Sequence, residues 1–167
     1  MSKSGFSMIE LVFVIVILGV ISAIAIPRFV ATRTEAGIAI LKNDINTVLT
    51  TVPARIFAES IDVTQNTPPD HSNWGEFIID TAGLDRSRWR AFPKGIKPMD
   101  GDKVCDSKAA GLILIQVGTF FSNTMQASLI FDPSYLDKGS SFCNKLKDSY
   151  PSDSRRDIPL TGSRVVF

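Results

Sequence analysis

The order of elements along this chain predicts an α+β protein: one long N-terminal helix, membrane-spanning in its first half, packed on a small antiparallel β-sheet. Three observations predict it. An apolar stretch opens the chain, from Phe6 to Ile26. An apolar stripe at helical spacing follows, as far as Ile56. Short apolar runs bounded by Gly, Asn, Asp and Pro fill the rest. A helix first and antiparallel strands after is an α+β order.

The first stretch justifies the spanning helix. Glu10 is the only charged residue between Phe6 and Ile26. At about 1.5 Å per helical residue the stretch reaches about 30 Å, the thickness of a hydrocarbon core. Three readings compete for it. One is a plain signal anchor. The second is a secretory signal peptide, with Lys3 as its basic region, Leu11–Ile21 as its apolar region and Ala23-Ile24-Ala25 as an A-x-A cleavage site. Two features oppose both. A carboxylate inside a span costs about 2.5–3.5 kcal/mol at the centre and less near an interface, and neither an anchor nor a signal peptide gains from it. Gly5 also separates the short polar leader Met1-Ser2-Lys3-Ser4 from an apolar run that begins only after it. Basic residues flank the stretch on both sides, Lys3 before and Arg28 and Arg33 after, so charge does not orient it.

The second stretch justifies the helix's continuation. Val30, Thr34, Ile38, Leu41, Ile45, Val48, Val52 and Ile56 recur every three or four residues, with Arg33, Lys42, Asp44 and Asn46 largely off the stripe. This is an amphipathic helix whose stripe faces a sheet. Pro27 is expected to kink it, and Pro53 to kink it again or to open a new helix. Ser60–Asn73, with Thr67-Pro68-Pro69-Asp70, reads as a polar loop.

The strands come last. Gly111–Val117 and Met125–Phe131 are β-type runs, the second ended by Asp132-Pro133, and Gly118–Asn123 joins them as a hairpin. Phe77–Asp80 and Arg164–Phe167 are further short strand candidates. The expected organisation is therefore a leader at 1–5, a spanning helix at 6–27, its amphipathic continuation at 28–60 and a β-rich head at 61–167.

Composition limits the function classes. A chain of 167 residues, 44% hydrophobic and 21% charged, is enough for one modest core and too apolar for a disordered chain. A net charge of +1 gives no overall attraction to nucleic acid or anionic lipid. Cys105 and Cys143 lack metal-ligand spacing and lie far in sequence from the single histidine, His71. An exported head makes them a disulfide; otherwise they are two cytosolic thiols. His71 sits alone in its loop and reads as a solvated side chain, and no nucleophile has a recognisable base beside it. No enzyme is expected, and no cofactor.

Gly5-Phe6-Ser7-Met8-Ile9-Glu10, followed by Leu11–Leu18, resembles the N-terminal processing motif of the type IV pilins and of the pseudopilins of type II secretion and DNA-uptake machines. The resemblance covers about 25 residues. It implies cleavage after Gly5 by a prepilin peptidase and N-methylation of Phe6. It also implies assembly roles for Glu10, Gly19 and Pro27. By the same resemblance the precursor sits once through the bacterial inner membrane with its head in the periplasm. Its partners are then membrane lipid, the inner-membrane assembly platform and other pilin-like subunits, in a periplasmic or cell-surface filament. The function implied is a filament subunit for adhesion, motility or DNA uptake. The alternative is a pseudopilin of a type II secretion system, and the remote one a signal-anchored or secreted periplasmic protein. In this family a disulfide often ties down the C-terminal region, which fits Cys105 with Cys143; many major pseudopilins lack such a bridge.

Two weaker patterns remain. Arg86, Arg88 and Arg90 share one face if the segment is extended, beside Trp89, with Lys94 and Lys97 following. This is either a nucleic-acid contact, with DNA as the partner, or a solvated basic surface with Trp89 in the core. Asp100, Asp102 and Asp106 around Gly101 are either calcium ligands, as in the C-terminal loop of some major pseudopilins, or an acidic turn.

Overall fold

The computed structural model describes residues 7–105, 111–120, 124–136 and 139–161, without the side chains of 24–31, 119–120 and 124–125. The strand expected at Arg164–Phe167 lies outside the described residues. Two compact units divide the chain, residues 1–37 and 38–167.

One helix, α1, is assigned to Met8–Ala58, continuous through Pro27 and Pro53. No second helix begins at Pro53. In the first unit every described side chain from Ser7 to Ala23 is exposed. In the second unit the predicted stripe is buried: Ile38, Leu41, Ile45, Val48, Val52 and Ile56. Their polar neighbours settle locally; the Thr47 and Thr51 hydroxyls donate to carbonyls one turn back, at 3.0 and 2.8 Å.

Among the described residues the sheet of the second unit follows the order β1-β2-β4-β5-β6, with β3 paired to β2, all antiparallel. The strands are β1 (Trp89–Phe92), β2 (Gly95–Asp100), β3 (Lys103–Val104), β4 (Ile113–Phe120), β5 (Thr124–Phe131) and β6 (Arg156–Pro159). The predicted hairpin is β4–β5, longer than expected: pairing continues from Ile113↔Phe131 to Phe120↔Thr124. Side chains alternate across a strand. Ile113, Ile115, Leu129, Phe131, Ile96 and Trp89 therefore enter the same buried cluster as the α1 stripe, as Leu112 does from just ahead of β4.

Phe77–Asp80 is not a strand. It lies in helix α2, Trp74–Ala82. A short Phe-Ile-Ile run is ambiguous by itself; the ends decide it. The Asn73 side chain accepts a hydrogen bond from the Glu76 N–H at 2.9 Å, and Gly83 closes the helix at φ 62°, a left-handed cap that glycine adopts without strain. A second short helix, α3 (Ser141–Asp148), is capped by Ser140, whose hydroxyl accepts from the Cys143 N–H. Lys42 of α1 donates to the carbonyl of Ser149 at 2.9 Å and lies 4.9 Å from the Tyr150 ring centroid, so α3 ends against α1.

Candidate processing and assembly site

The described part of the N-terminal motif begins with the start of α1. The Ser7 carbonyl accepts from the N–H groups of Glu10 and Leu11, at 3.0 and 3.1 Å. The Ser7 N–H in turn donates to Glu10 Oε2 at 3.4 Å. Ser-x-x-Glu is half of a capping box: the carboxylate three residues into the helix satisfies a backbone donor that the helix leaves open. It also stands at the positive end of the helix dipole. Ser7 was not among the residues singled out from sequence; the spacing to Glu10 was the available signal. Gly5 and Phe6 lie outside the described residues.

Behind this cap the helix has no polar face. Met8, Phe13, Val16 and Val20 are 84%, 66%, 57% and 61% exposed, and Leu11, Ile15, Leu18 and Ile21 lie at similar values. A contiguous apolar surface of this extent marks a site that lipid or another protein covers. Gly19 lies within it, and a Cβ there would meet nothing within 4 Å. Pro27 lies in α1, with its side chain outside the description. Among the described residues no helix is long and apolar enough to cross a membrane. The expected span, 6–27, runs past the described side chains at both ends.

Cys105 and Cys143 form a disulfide, with Cα atoms 5.8 Å apart. Both are buried. Cys105 follows β3, where its N–H donates to the Pro98 carbonyl at 2.9 Å, and Cys143 lies in the first turn of α3. The bridge therefore fastens the β2–β3 turn to a helix 38 residues later.

The face that an extended segment would give Arg86, Arg88 and Arg90 does not form, and Trp89 lies in the core, as the alternative reading has it. Arg86 precedes β1 and pairs with Glu76 and with Asp80 at 2.7 Å, so that its pKa is raised, first through Glu76 and then through Asp80. Arg88 reaches Asp85 at 3.1 Å and Asp44 at 3.5 Å. Trp89 is buried and donates from Nε1 to Asp44 Oδ2 at 2.9 Å, which removes its ring from any stacking partner. Arg90 alone of the three is exposed and unpaired among the described residues. Carboxylates decide this outcome: Asp44 of α1 is distant in sequence, while Glu76 and Asp80 of α2 and Asp85 lie within ten residues of the arginines they hold.

His71 is not a solvated side chain. Its side chain is 13% exposed, its ring meets Phe77 edge-on at 5.4 Å, Nδ1 lies 2.8 Å from the Pro69 carbonyl and Nε2 3.4 Å from Asp80. Asp100 ends β2 and Asp102 lies in the turn to β3; Asp106 lies outside the described residues. Among the described residues no three potential ligands come together to hold a metal.

A long helix with a capped, wholly apolar beginning, continuing into a disulfide-fastened α+β head, defines the class of protein. The family model of the prokaryotic N-terminal methylation motif matches residues 1–26. The chain thus carries the prepilin-type motif of type IV pilin-like and pseudopilin-like proteins, and that motif marks precursors anchored in the inner membrane. No curated protein and no solved structure matches the chain.

Proposed function

We propose that this protein is a structural subunit of a type IV pilus-type filament and not a catalyst. The motif at residues 1–26 carries the reading, and the uncovered apolar surface of α1 supports it. The precursor inserts in the inner membrane, the peptidase cuts after Gly5, Phe6 is methylated, and the subunit leaves lipid for other subunits. The apolar side chains are covered in both settings, so their transfer carries little cost. The Cys105–Cys143 bridge favours a pilus over a secretion pseudopilin.

In this reading Glu10 sets the register. Cleavage places a new amine on Phe6, about 6 Å along the axis from Glu10. Opposite unit charges 4 Å apart attract by about 4 kcal/mol at an effective dielectric of 20, before desolvation is subtracted. Apolar contacts tolerate many axial offsets; one charge pair between neighbouring subunits selects among them. Filaments sheared from producing cells test the proposal. The native chain is expected in the filament fraction, Gly5→Val is expected to stay in the membrane as precursor, and Glu10→Ala to be cleaved and still excluded from filaments. Absence of the native chain from both sheared pili and secretion-type filaments overturns the proposal. Normal incorporation of Glu10→Ala at unchanged subunit rise overturns the register mechanism alone.

A further inference from the structure

The loop that leads into α2 ends on one anchored side chain. Between the buried Pro68 and the α2 cap at Asn73, only His71 is not exposed. Asp70, directly ahead of it, takes up left-handed backbone at φ 60°. Aspartate tolerates that conformation better than most residues, and such backbone persists where its surroundings hold it. The His71 ring supplies the hold. Its side chain is 13% exposed, and its ring meets Phe77 of α2 edge-on with centroids 5.4 Å apart.

Both ring nitrogens of His71 face acceptors. Nδ1 lies 2.8 Å from the Pro69 carbonyl oxygen, and Nε2 lies 3.4 Å from Asp80 Oδ2. A carbonyl only accepts, and so does an ionised carboxylate, so each contact needs a proton from the ring. A neutral imidazole carries one. The shorter contact, to Pro69, keeps it, and the Nε2 lone pair is then turned toward the Asp80 oxygen. The imidazolium carries two and donates to both. A histidine that served packing alone would find a donor opposite its second nitrogen; this one finds a charge.

We propose that His71 is a proton-operated latch: protonated, it fastens the end of the Ser60–Asn73 loop to Asp80 of α2, and neutral, it releases it. The charged groups around the ring fit this role. Asp80 presents Oδ2 to His71 while Arg86 holds its Oδ1 at 2.7 Å, so the carboxylate is fixed in place. Glu76 is taken by the same arginine. Arg55 of α1 stands 5.2 Å from the Phe77 ring centroid and is paired with Glu59. Asp70 is exposed in the loop. Among the described residues, Asp80 is the carboxylate that an ion-pair distance joins to the ring. The stabilisation from the latch is present where the ring is protonated and is lost as the pH rises.

The test uses the full chain, oxidised and held in neutral detergent, with a chelator to keep metal ions from the gap between Nε2 and Asp80. Imidazole is the side chain that ordinarily titrates between about pH 5 and about pH 8. His71 is the single histidine of the chain, so removing it isolates the effect. The unfolding constant of the native chain, divided by that of His71→Phe, is expected to rise about threefold from about pH 5 to about pH 8, the effect of a partly exposed ion pair. Asp80→Asn offers the neutral ring a donor, and in that background the same ratio is expected to stay level. The nuclear Overhauser contact between the His71 and Phe77 rings is expected at the acid end and lost at the alkaline end. A preserved Cys105–Cys143 linkage and unchanged helicity report that each variant is folded. A level ratio in the native background overturns the proposal. So does a rise that persists with Asp80→Asn, or a ring contact equally strong at both ends.

Discussion

Met8–Ile21 and Ile38–Ile56 belong to one helix, yet their apolar side chains meet opposite fates. In the first segment every described side chain is exposed; in the second the stripe from Ile38 to Ile56 is buried. The difference lies in the polar residues. Between Leu41 and Val52 stand Lys42, Asn43, Asp44, Asn46 and Thr50, which give the helix a wet face and leave one dry stripe for the sheet. Leu11–Leu18 has no such interruption, and a helix apolar all round is stable only where something apolar surrounds it. The second segment finds its partner within the chain. The first finds none among the described residues, and the proposed function supplies them: lipid, then other subunits.

The comparison breaks most readily at the disulfide, which acts on the head alone. Cys143→Ser is expected to lower the stability of the head by about 4 kcal/mol on the chain-entropy estimate for a loop of this size. Denaturant unfolding of the detergent-held chain measures it, and N-terminal cleavage is expected to proceed as before. Next comes a matched pair. Ile45→Ala leaves a cavity in the core, and a loss of about 2–5 kcal/mol is expected. Ile15→Ala removes a side chain that touches no core, and a change within about 0.5 kcal/mol is expected, with a reduced yield of filaments. Equal destabilisation by both variants would remove the distinction between the two segments.

Gly19→Ala gives a smaller effect of opposite sign. A Cβ fits there without contact, so helix propensity alone favours the substitution by about 1 kcal/mol. Helicity by circular dichroism is expected to rise, while the assembly role that the resemblance implies for Gly19 predicts a lower yield of filaments. The smallest effect concerns Tyr150. Burial pushes its phenol up to about 12 from the ordinary 10. Folding therefore favours the protonated form, and that stabilisation is complete below pH 10 and lost as the pH rises through about 12. Absorbance titration of the native chain against Tyr150→Phe resolves the ionisation.

The legible parts were those written in local pattern. The α1 stripe and the β4–β5 hairpin follow from spacing, since a buried helix face and a buried strand face each impose a period on their own segment. The motif from Gly5 to Glu10 was legible for a similar reason: its residues are contiguous. Phe77–Asp80 was misread because its apolar run outweighed the Asn73 and Gly83 caps. The ion pairs of Arg86 and Arg88 were not legible because Glu76, Asp80 and Asp44 come from other elements. His71 was misread in the same way: Phe77 and Asp80 of α2 meet its ring. Pairing across the fold leaves no periodic trace.

The central claim is that the N-terminal stretch is a processed filament helix. Mass spectrometry of the N-terminal peptide of the protein isolated from producing cells tests it most directly. The account predicts a mature chain that begins at Phe6 and is heavier there by one methyl group. A mature chain beginning at Ile26 would establish a signal peptide and contradict it, as would an uncleaved Met1 in cells that contain an active prepilin peptidase.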